Sequence, residues 1–228
     1  MVDSLHLKTV TRTFHGIALR FGMLFLVVDP TWAGDCLPDS RENCRSDYSM
    51  PSASMTPTLL SGDYFFVDAE RYNTHWPELG EVVVFLLPTD NKFKYVKRVI
   101  GFPGDHVLMK GGVLFINGVA VPKVRVEDFV DNRPNGEGNG RAIAQYEETL
   151  PNGISYRVLD QQANGPGDDT MEYVVPVDHY FMMGDNRDNS EDSRYLRQVG
   201  YVPRLNIIAK ATTIYFSWKF SQIGKKVE

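Results

Sequence analysis

From Tyr64 to Trp218 the sequence alternates short hydrophobic segments with turn-forming residues, and this pattern constrains the fold more than any other feature. The segments are rich in Val, Ile, Phe and Tyr, which favour strands, and Gly, Pro, Asn or Asp separate them. They are DYFFVDAE, GEVVVFLLP, KYVKRVIG, HVLMKGGVLFINGVAV, GISYRVLD, YVVPVDHYFMM and NIIAKATTIYFSW. The sequence therefore predicts a mainly β fold.

One turn in this series can be assigned from its residues. FINGVAV carries Asn117 and Gly118 between two apolar arms. This pair predicts a hairpin with a two-residue loop, because both central positions of such a turn need positive φ.

The amino-acid composition changes between Lys123 and Asp169, where loops rich in Gly, Asn and Pro surround one or two predicted strands. This change predicts a smaller lobe inserted into a core. The predicted division is a first part of the core at 50–122, the inserted lobe at 123–172, a second part of the core at 173–220 and a tail at 221–228.

The first 35 residues follow the basic, apolar, polar order of an export segment. Lys8, Arg12 and Arg20 precede FGMLFLVV, an apolar run far shorter than the roughly 20 residues that span a membrane. Residues 1–33 are therefore interpreted either as a cleavable export signal or as a single marginal membrane anchor with an apolar helix. Both interpretations place the residues after Asp35 across the membrane. An amphipathic or core helix is the alternative.

Residues 34–49 are predicted to form a polar linker that holds Cys36 and Cys44. Their spacing suits a small disulfide loop in an oxidising compartment, and two free thiols are the other interpretation. The net charge of -5 argues against a nucleic-acid partner, since such binding needs a basic face.

The residues that could act as nucleophile and base are few. None of the five histidines stands in a sequence context typical of a Ser-His-Asp triad or a zinc site. Lys97 in YVKR is a better candidate for the base: on a strand it shares a largely apolar face with Tyr95 and Val99, and burial lowers the pKa of a lysine. A neutral amine can deprotonate a serine hydroxyl. A lysine that snorkels from a sheet edge is the alternative.

Arg98 points to the opposite face from Lys97 and cannot lose its charge, so it needs an acidic partner. The block MGDNRDNSEDSRY at 183–195 supplies four candidates, which are Asp185, Asp188, Glu191 and Asp192. The block does not read as a calcium loop, because neither register has the required glycine at its sixth position. We therefore expect no metal site and no cofactor.

Four motifs, PSASMTPTLLSGD, KYVKRVIGFPGD, MGDNRDNSEDSR and AKATTIYFSW, occur in this order. Together they resemble the successive boxes of the type I signal peptidase family, membrane-bound serine proteases with a Ser/Lys dyad. The resemblance spans residues 50–218. It implies a catalytic β-core of several antiparallel sheets, to which the inserted β-rich lobe and the N-terminal apolar helix are added.

The resemblance assigns a role to each matching position. It makes Ser54 the nucleophile and Lys97 the general base, and it places the Ser52 hydroxyl and the Ser54 backbone N–H in the oxyanion hole. Ser190 would hydrogen-bond the lysine. The other supporting residues are Gly184, Asp185, Asp192, Arg194 and Arg98.

The implied activity is removal of signal peptides from exported preproteins through an acyl-enzyme intermediate, with small residues at positions -1 and -3 before the cut. The expected partners are these preproteins and a membrane lipid surface. The expected location is the bacterial cytoplasmic membrane, with the catalytic domain on the outer, periplasmic side, or a released periplasmic form if residues 1–33 are cleaved. The alternatives are a specialised maturation protease of a secretion or conjugation system, and a non-catalytic preprotein-binding paralogue.

Overall fold

The computed structural model describes residues 45–133 and 140–228. The predictions for residues 1–33, including the export signal or anchor and its helix, lie outside the described residues, and so does the cysteine pair. No helix in the described part of the chain is long and apolar enough to cross a membrane.

The described residues form sixteen strands, one short α-helix, α1 (Arg71–Thr74), and three 3-10 helices, Arg187–Asn189, Arg204–Asn206 and Phe220–Gln222. The strands are β1 (Arg45–Ser49), β2 (Tyr64–Asp68), β3 (Val82–Leu86), β4 (Lys94–Gly101), β5 (His106–Lys110), β6 (Val113–Ile116), β7 (Val119–Ala120), β8 (Lys123–Arg125), β9 (Phe129–Val130), β10 (Ala142–Ile143), β11 (Gln145–Thr149), β12 (Ser155–Leu159), β13 (Tyr173–Val174), β14 (His179–Met183), β15 (Val202–Pro203) and β16 (Ile207–Phe216).

Seven of these strands form the central sheet, with the order β1-β2-β16-β3-β4-β14-β15. Its neighbouring strands pair antiparallel. Smaller sheets have the orders β13-β5-β6-β7, β12-β11-β8 and β10-β9. The prediction of a mainly β fold with several antiparallel sheets is confirmed.

The segments that the sequence pattern identified correspond to strands of these sheets. KYVKRVIG is β4 over its full length. The turn between β6 and β7 has Asn117 at φ 52 and Gly118 at φ 76, so the predicted hairpin is confirmed.

The sequence pattern missed strand β1 because its side chains are largely polar. β1, with the sequence RSDYS, lies where a polar linker was predicted, and it forms through pairing with β2. Tyr48 of β1 stacks on Phe65 of β2 with ring centroids 6.3 Å apart. Five strands, β8 to β12, lie between 123 and 172 where one or two were expected. The division into core and inserted lobe stays a prediction.

β4 is buried on both faces, and this determines the surroundings of its two basic residues. Val96 belongs to a cluster with Met50 and Met55, whereas Val99 packs with Met182 on the other face. Lys97 is 3% exposed and Arg98 is 0% exposed. Both must therefore be neutral or paired, because an isolated buried charge is very costly.

A buried ion pair fixes the segment that follows β14. Arg187 donates to both carboxylate oxygens of Glu148 on β11, at 2.6 and 2.5 Å, and Tyr156 donates to the same carboxylate at 2.8 Å. Both members of the ion pair are buried. The pair therefore ties the block at 183–195 to the sheet that contains β11.

Replacing Glu148 with Gln should destabilise the protein, because it leaves the buried Arg187 charge uncompensated. We expect a loss of about 3 kcal/mol or more in the free energy of unfolding, and hence a melting temperature lowered by roughly 6 to 12 °C. The neighbouring Glu147→Gln is the matched control, since its partner Arg157 is about two-fifths exposed and such pairs contribute little. Equal melting temperatures for the two variants would contradict this.

Candidate active site

The loop between β1 and β2 carries Ser54 and is held from below by the core. Met55 and Leu59 are buried under the loop. At its ends the Met50 N–H donates to Asp63 O at 2.8 Å and the Gly62 N–H donates to Met50 O at 2.7 Å. The loop is therefore a closed and anchored structure, which restricts the position of Ser54.

Ser54 and Lys97 meet although 43 residues separate them. Lys97 Nζ lies 2.7 Å from Ser54 Oγ, which is hydrogen-bond distance, and it also donates to Val96 O at 3.1 Å. Ser54 is 6% exposed. The two groups are thus in contact and largely shielded from water.

Burial lowers the pKa of Lys97 to about 8 from its ordinary 10.5, while the negative charges of Asp192 and Asp185 oppose the shift. A substantial fraction of the amine is therefore neutral near pH 8. A neutral amine in contact with a hydroxyl can accept its proton.

Ser52 lies on the exposed side of the same loop, with its Oγ 3.2 Å from Ser54 Oγ. This is close enough for the two hydroxyls to address the same substrate oxygen. Its role in the oxyanion hole stays a prediction.

Asn186 holds the serine loop from the opposite side, and sequence reasoning missed it. Its backbone N–H donates to Ser54 O at 3.1 Å and its Nδ2 donates to Ala53 O at 3.0 Å. Nothing in a run of polar residues such as GDNRDNSED marks which side chain reaches a loop 133 residues earlier. The family resemblance of its motif could have predicted that Asn186 lies near the serine. It could not have predicted the two hydrogen bonds that Asn186 makes.

Asp192 and Arg194 form a buried bidentate pair beneath the site. Arg194 Nε and one terminal nitrogen each donate to the Asp192 carboxylate at 2.9 Å, and the Gly184 N–H donates to it at 3.0 Å. Burial alone would raise the pKa of Asp192, but the charge and hydrogen bonds of Arg194 hold that pKa below its ordinary value. Asp192 is therefore a fixed negative charge near Lys97.

Gly184 stands where there is no room for a side chain. A Cβ at this position would lie 2.6 Å from Ser54 O and even closer to Ser190 Oγ. The absence of a side chain lets the segment after β14 pack directly against the serine loop.

Ser190 is buried at the site, but its predicted hydrogen bond to Lys97 is not formed. Its hydroxyl lies beside the Asp192 carboxylate and helps to lower the pKa of that group, although its Oγ forms no hydrogen bond of ordinary geometry among the described residues. The amine of Lys97 is directed to Ser54 Oγ and Val96 O instead. Ser190 therefore lines the site without fixing the lysine in this geometry.

Asp185 supplies the acid that Arg98 needs. Arg98 Nε and a terminal nitrogen donate to its two oxygens at 2.9 and 2.8 Å, and the other terminal nitrogen donates to Gly80 O at 2.6 Å. Thr58 donates to Asp185 at 2.5 Å. The pair thus links β4, the segment after β14 and the serine loop, and Thr58 is a further residue that the sequence did not indicate.

Ser54 and Lys97 open into a cleft of about 920 Å³ that runs between β1 and β4. Met50 and Val96 give it an apolar wall. β14 pairs with β4 only from Arg98 to Gly101, so the outer edge of Lys94–Val96 has no strand beside it among the described residues. An extended peptide could add along this edge.

One acidic group in the described ranges has the spacing of a metal site. Carboxylate oxygens of Asp160, Asp168 and Asp188 lie within 4.8 Å of one another. Lys123 donates to Asp160 at 2.8 Å and partly neutralises the group. This arrangement gives no reason to assign a metal to it.

Comparison with known proteins identifies the family. Residues 41–218 match the family model described as signal peptidase, peptidase S26. Signal peptidase I of Rickettsia prowazekii (strain Madrid E) is 34% identical, covering 76% of this chain and 73% of that protein. Signal peptidase I of Pseudomonas fluorescens is 35% identical, covering 78% of this chain and 70% of that protein.

Among solved structures, a signal peptidase I from Enterococcus faecalis V583 matches with 25% sequence identity and a TM-score of 0.34, covering 60% of this chain and 97% of that one. The assignment rests on the sequence matches, which extend over more than half of the chain and include all four motifs. The chain belongs to the signal peptidase family, peptidase S26.

Proposed function

We propose that this protein is a serine endopeptidase that removes signal peptides from exported preproteins. The observation that carries the proposal is the 2.7 Å contact between the buried amine of Lys97 and Ser54 Oγ, in a cleft open to a peptide. The names of the relatives, signal peptidase I, support the substrate class.

The first half of the reaction acylates Ser54. Neutral Lys97 accepts the Ser54 proton as Oγ attacks the scissile carbonyl carbon. The Ser52 hydroxyl and the Ser54 N–H donate to the oxyanion, and loss of one such donor typically costs about 2.7 to 4 kcal/mol of transition-state stabilisation. The Lys97 ammonium then protonates the departing amine, and the C–N bond breaks.

The second half releases the signal peptide. Lys97, neutral again, takes a proton from water, whose oxygen attacks the acyl carbon, and the ammonium returns the proton to Ser54 Oγ. The negative charges of Asp192 and Asp185 stabilise the ammonium while it exists. They are themselves paired with Arg194 and Arg98, so they do not draw the lysine away from Ser54.

The substrate binds as an added strand along Lys94–Val96 of β4. Its backbone pairs with the open strand edge, and side chains at -1 and -3 lie on the same face because a strand alternates. Met50 and Val96 line the cleft and favour apolar residues at these positions. The family resemblance adds the expectation that these apolar residues are small.

The surface beside the cleft faces the membrane from the periplasmic side. Ser49 at the cleft pairs with Tyr64, which pairs with Phe216, so the exposed rings of Tyr64 and Phe216 lie in one row with the start of the serine loop. Phe220 is 84% exposed. The adjacent lysines that can attract anionic lipid are Lys219, Lys225 and Lys226.

Cleavage of an exported preprotein tests the activity. The purified protein should generate one new N-terminus, identified by sequencing, directly after the signal peptide. Ser54→Ala and Lys97→Met should each abolish cleavage, because neither variant retains both nucleophile and base. Ser61→Ala, in the same loop, removes a hydroxyl that donates to Pro51 O and has no other partner in the described part of the chain, so this variant should still cleave. A Ser54→Ala protein with full biological activity would support a non-catalytic paralogue, and cleavage of one dedicated substrate only would support a specialised maturation protease.

The pH dependence of kcat/KM should reflect the deprotonation of the Lys97 amine. Because burial lowers the pKa of this amine to about 8, it is protonated and inactive below that pH and becomes a base above it. The rate should therefore rise as the pH increases through about 8. In Glu191→Gln the rise should move to lower pH, since the Glu191 charge raises the pKa of Lys97. A wild-type profile that is flat from pH 7 to 9 would contradict this base.

Binding to lipid vesicles tests the membrane surface. The full chain with Lys219, Lys225 and Lys226 all replaced by Glu should bind vesicles rich in phosphatidylglycerol at least ~10-fold more weakly, because each basic residue contributes about 1 kcal/mol. Binding to neutral phosphatidylcholine vesicles should change little. Lys92→Glu is the control for a single exposed charge, and equal binding by the triple variant would contradict the assignment.

A further inference from the structure

One side-chain contact joins the two sides of the cleft that contains Ser54 and Lys97. Lys94 Nζ donates to Tyr48 Oη at 3.2 Å and lies 4.9 Å from the centroid of its ring. Tyr48 is on β1 and Lys94 is on β4, which are the first and fifth strands of the central sheet, so the contact is not between adjacent strands. Both side chains line the cleft. We call this contact the Tyr48–Lys94 clasp.

The clasp lies at a defined distance from the reacting atoms. Lys94 precedes Lys97 by three residues, which is about 10 Å along a strand. Lys94 shares a face of β4 with Val96, whereas Tyr95 and Lys97 occupy the other face. A bound strand whose residues at -1 and -3 face Val96 therefore presents its residue at -5 to Lys94.

Among the residues that the structure describes, no carboxylate neutralises the charge of Lys94. Its ammonium contacts the hydroxyl and the ring of one residue, Tyr48, and neither carries the carboxylate that an ion pair needs. Glu191 also lines the cleft, but it accepts from Tyr95 on the other face, at 3.4 Å. An unneutralised ammonium held in place favours an anionic neighbour and disfavours a cationic one.

We propose that the Tyr48–Lys94 clasp selects substrates by charge, favouring an acidic and excluding a basic residue at -5. This rests on the proposed function and deepens it. Signal peptides begin with a positively charged region followed by an apolar one. A cation at the mouth of the cleft therefore keeps the basic region out and directs cleavage to the segment beyond the apolar core.

Paired peptides test the clasp. The substrates share one sequence with an Ala-like residue at -1 and -3 and differ only in Glu or Lys at -5, and a second pair carries the same change at -4. We expect the wild-type enzyme to show a kcat/KM about 10-fold higher for Glu than for Lys at -5, a ratio typical of one charge contact. The Lys94→Glu enzyme should invert this ratio, and Lys94→Met should bring it close to one.

Further controls distinguish the effect of the Tyr48–Lys94 clasp from a general effect of net charge. Lys92→Glu changes the net charge equally but lies outside the cleft, so it should keep the wild-type ratio. The Glu-to-Lys ratio of kcat/KM at -4 should be the same in Lys94→Glu as in the wild type, because the substrate side chain at -4 faces Tyr95. Added salt should reduce the ratio at -5 in the wild type. Melting temperatures establish that each variant is folded.

The outcomes distinguish the two levels of inference. If the wild-type enzyme cleaves none of the peptides nor a preprotein, the proposed function fails. If it cleaves them with the same ratio at -5 as Lys94→Glu and Lys94→Met, the clasp has no selective role although the activity stands.

Discussion

Two adjacent basic residues in the middle of a buried strand set the conditions for the rest of this structure. The core on both faces of β4 removes water from Lys97 and Arg98 alike. Their responses differ for a chemical reason. A guanidinium keeps its proton at any physiological pH, whereas the pKa of an ammonium falls when it is buried. Arg98 therefore recruits Asp185, and Lys97 becomes a base.

The surrounding carboxylates raise the pKa of Lys97 without keeping it protonated above about pH 8. Asp192 and Asp185 raise the pKa of Lys97, and burial lowers it by more, so the result lies near 8. Each carboxylate is already engaged, Asp192 by Arg194 and Asp185 by Arg98. A direct ion pair with the lysine would hold it protonated and turn it away from Ser54. Buried pairs of this kind are costly to assemble, and here their value lies in position rather than in stability.

The site is also where distant segments of the chain are locked together. Asn186 holds the two carbonyl groups at Ala53 and Ser54, and Gly184 permits the approach that makes this possible. Thr58 extends the Arg98–Asp185 pair into the serine loop. A nucleophile positioned from three sides loses little freedom on reaching the transition state, which is how positioning contributes to rate.

The β class could be predicted from local preferences alone, because segments of β-branched and aromatic residues between turn formers favour strands, as KYVKRVIG and Asn117-Gly118 do. The sequence also marked Ser54 and Lys97, since their motifs carry the family resemblance. It did not reveal strand β1, whose polar residues become a strand only against β2, nor the roles of Asn186 and Thr58, nor the Tyr48–Lys94 clasp. It also predicted a bond from Ser190 to Lys97 that the structure does not contain. Contacts between segments far apart in the chain depend on how the sheets pack and on which atoms compete for each donor, and local sequence preferences do not contain this information.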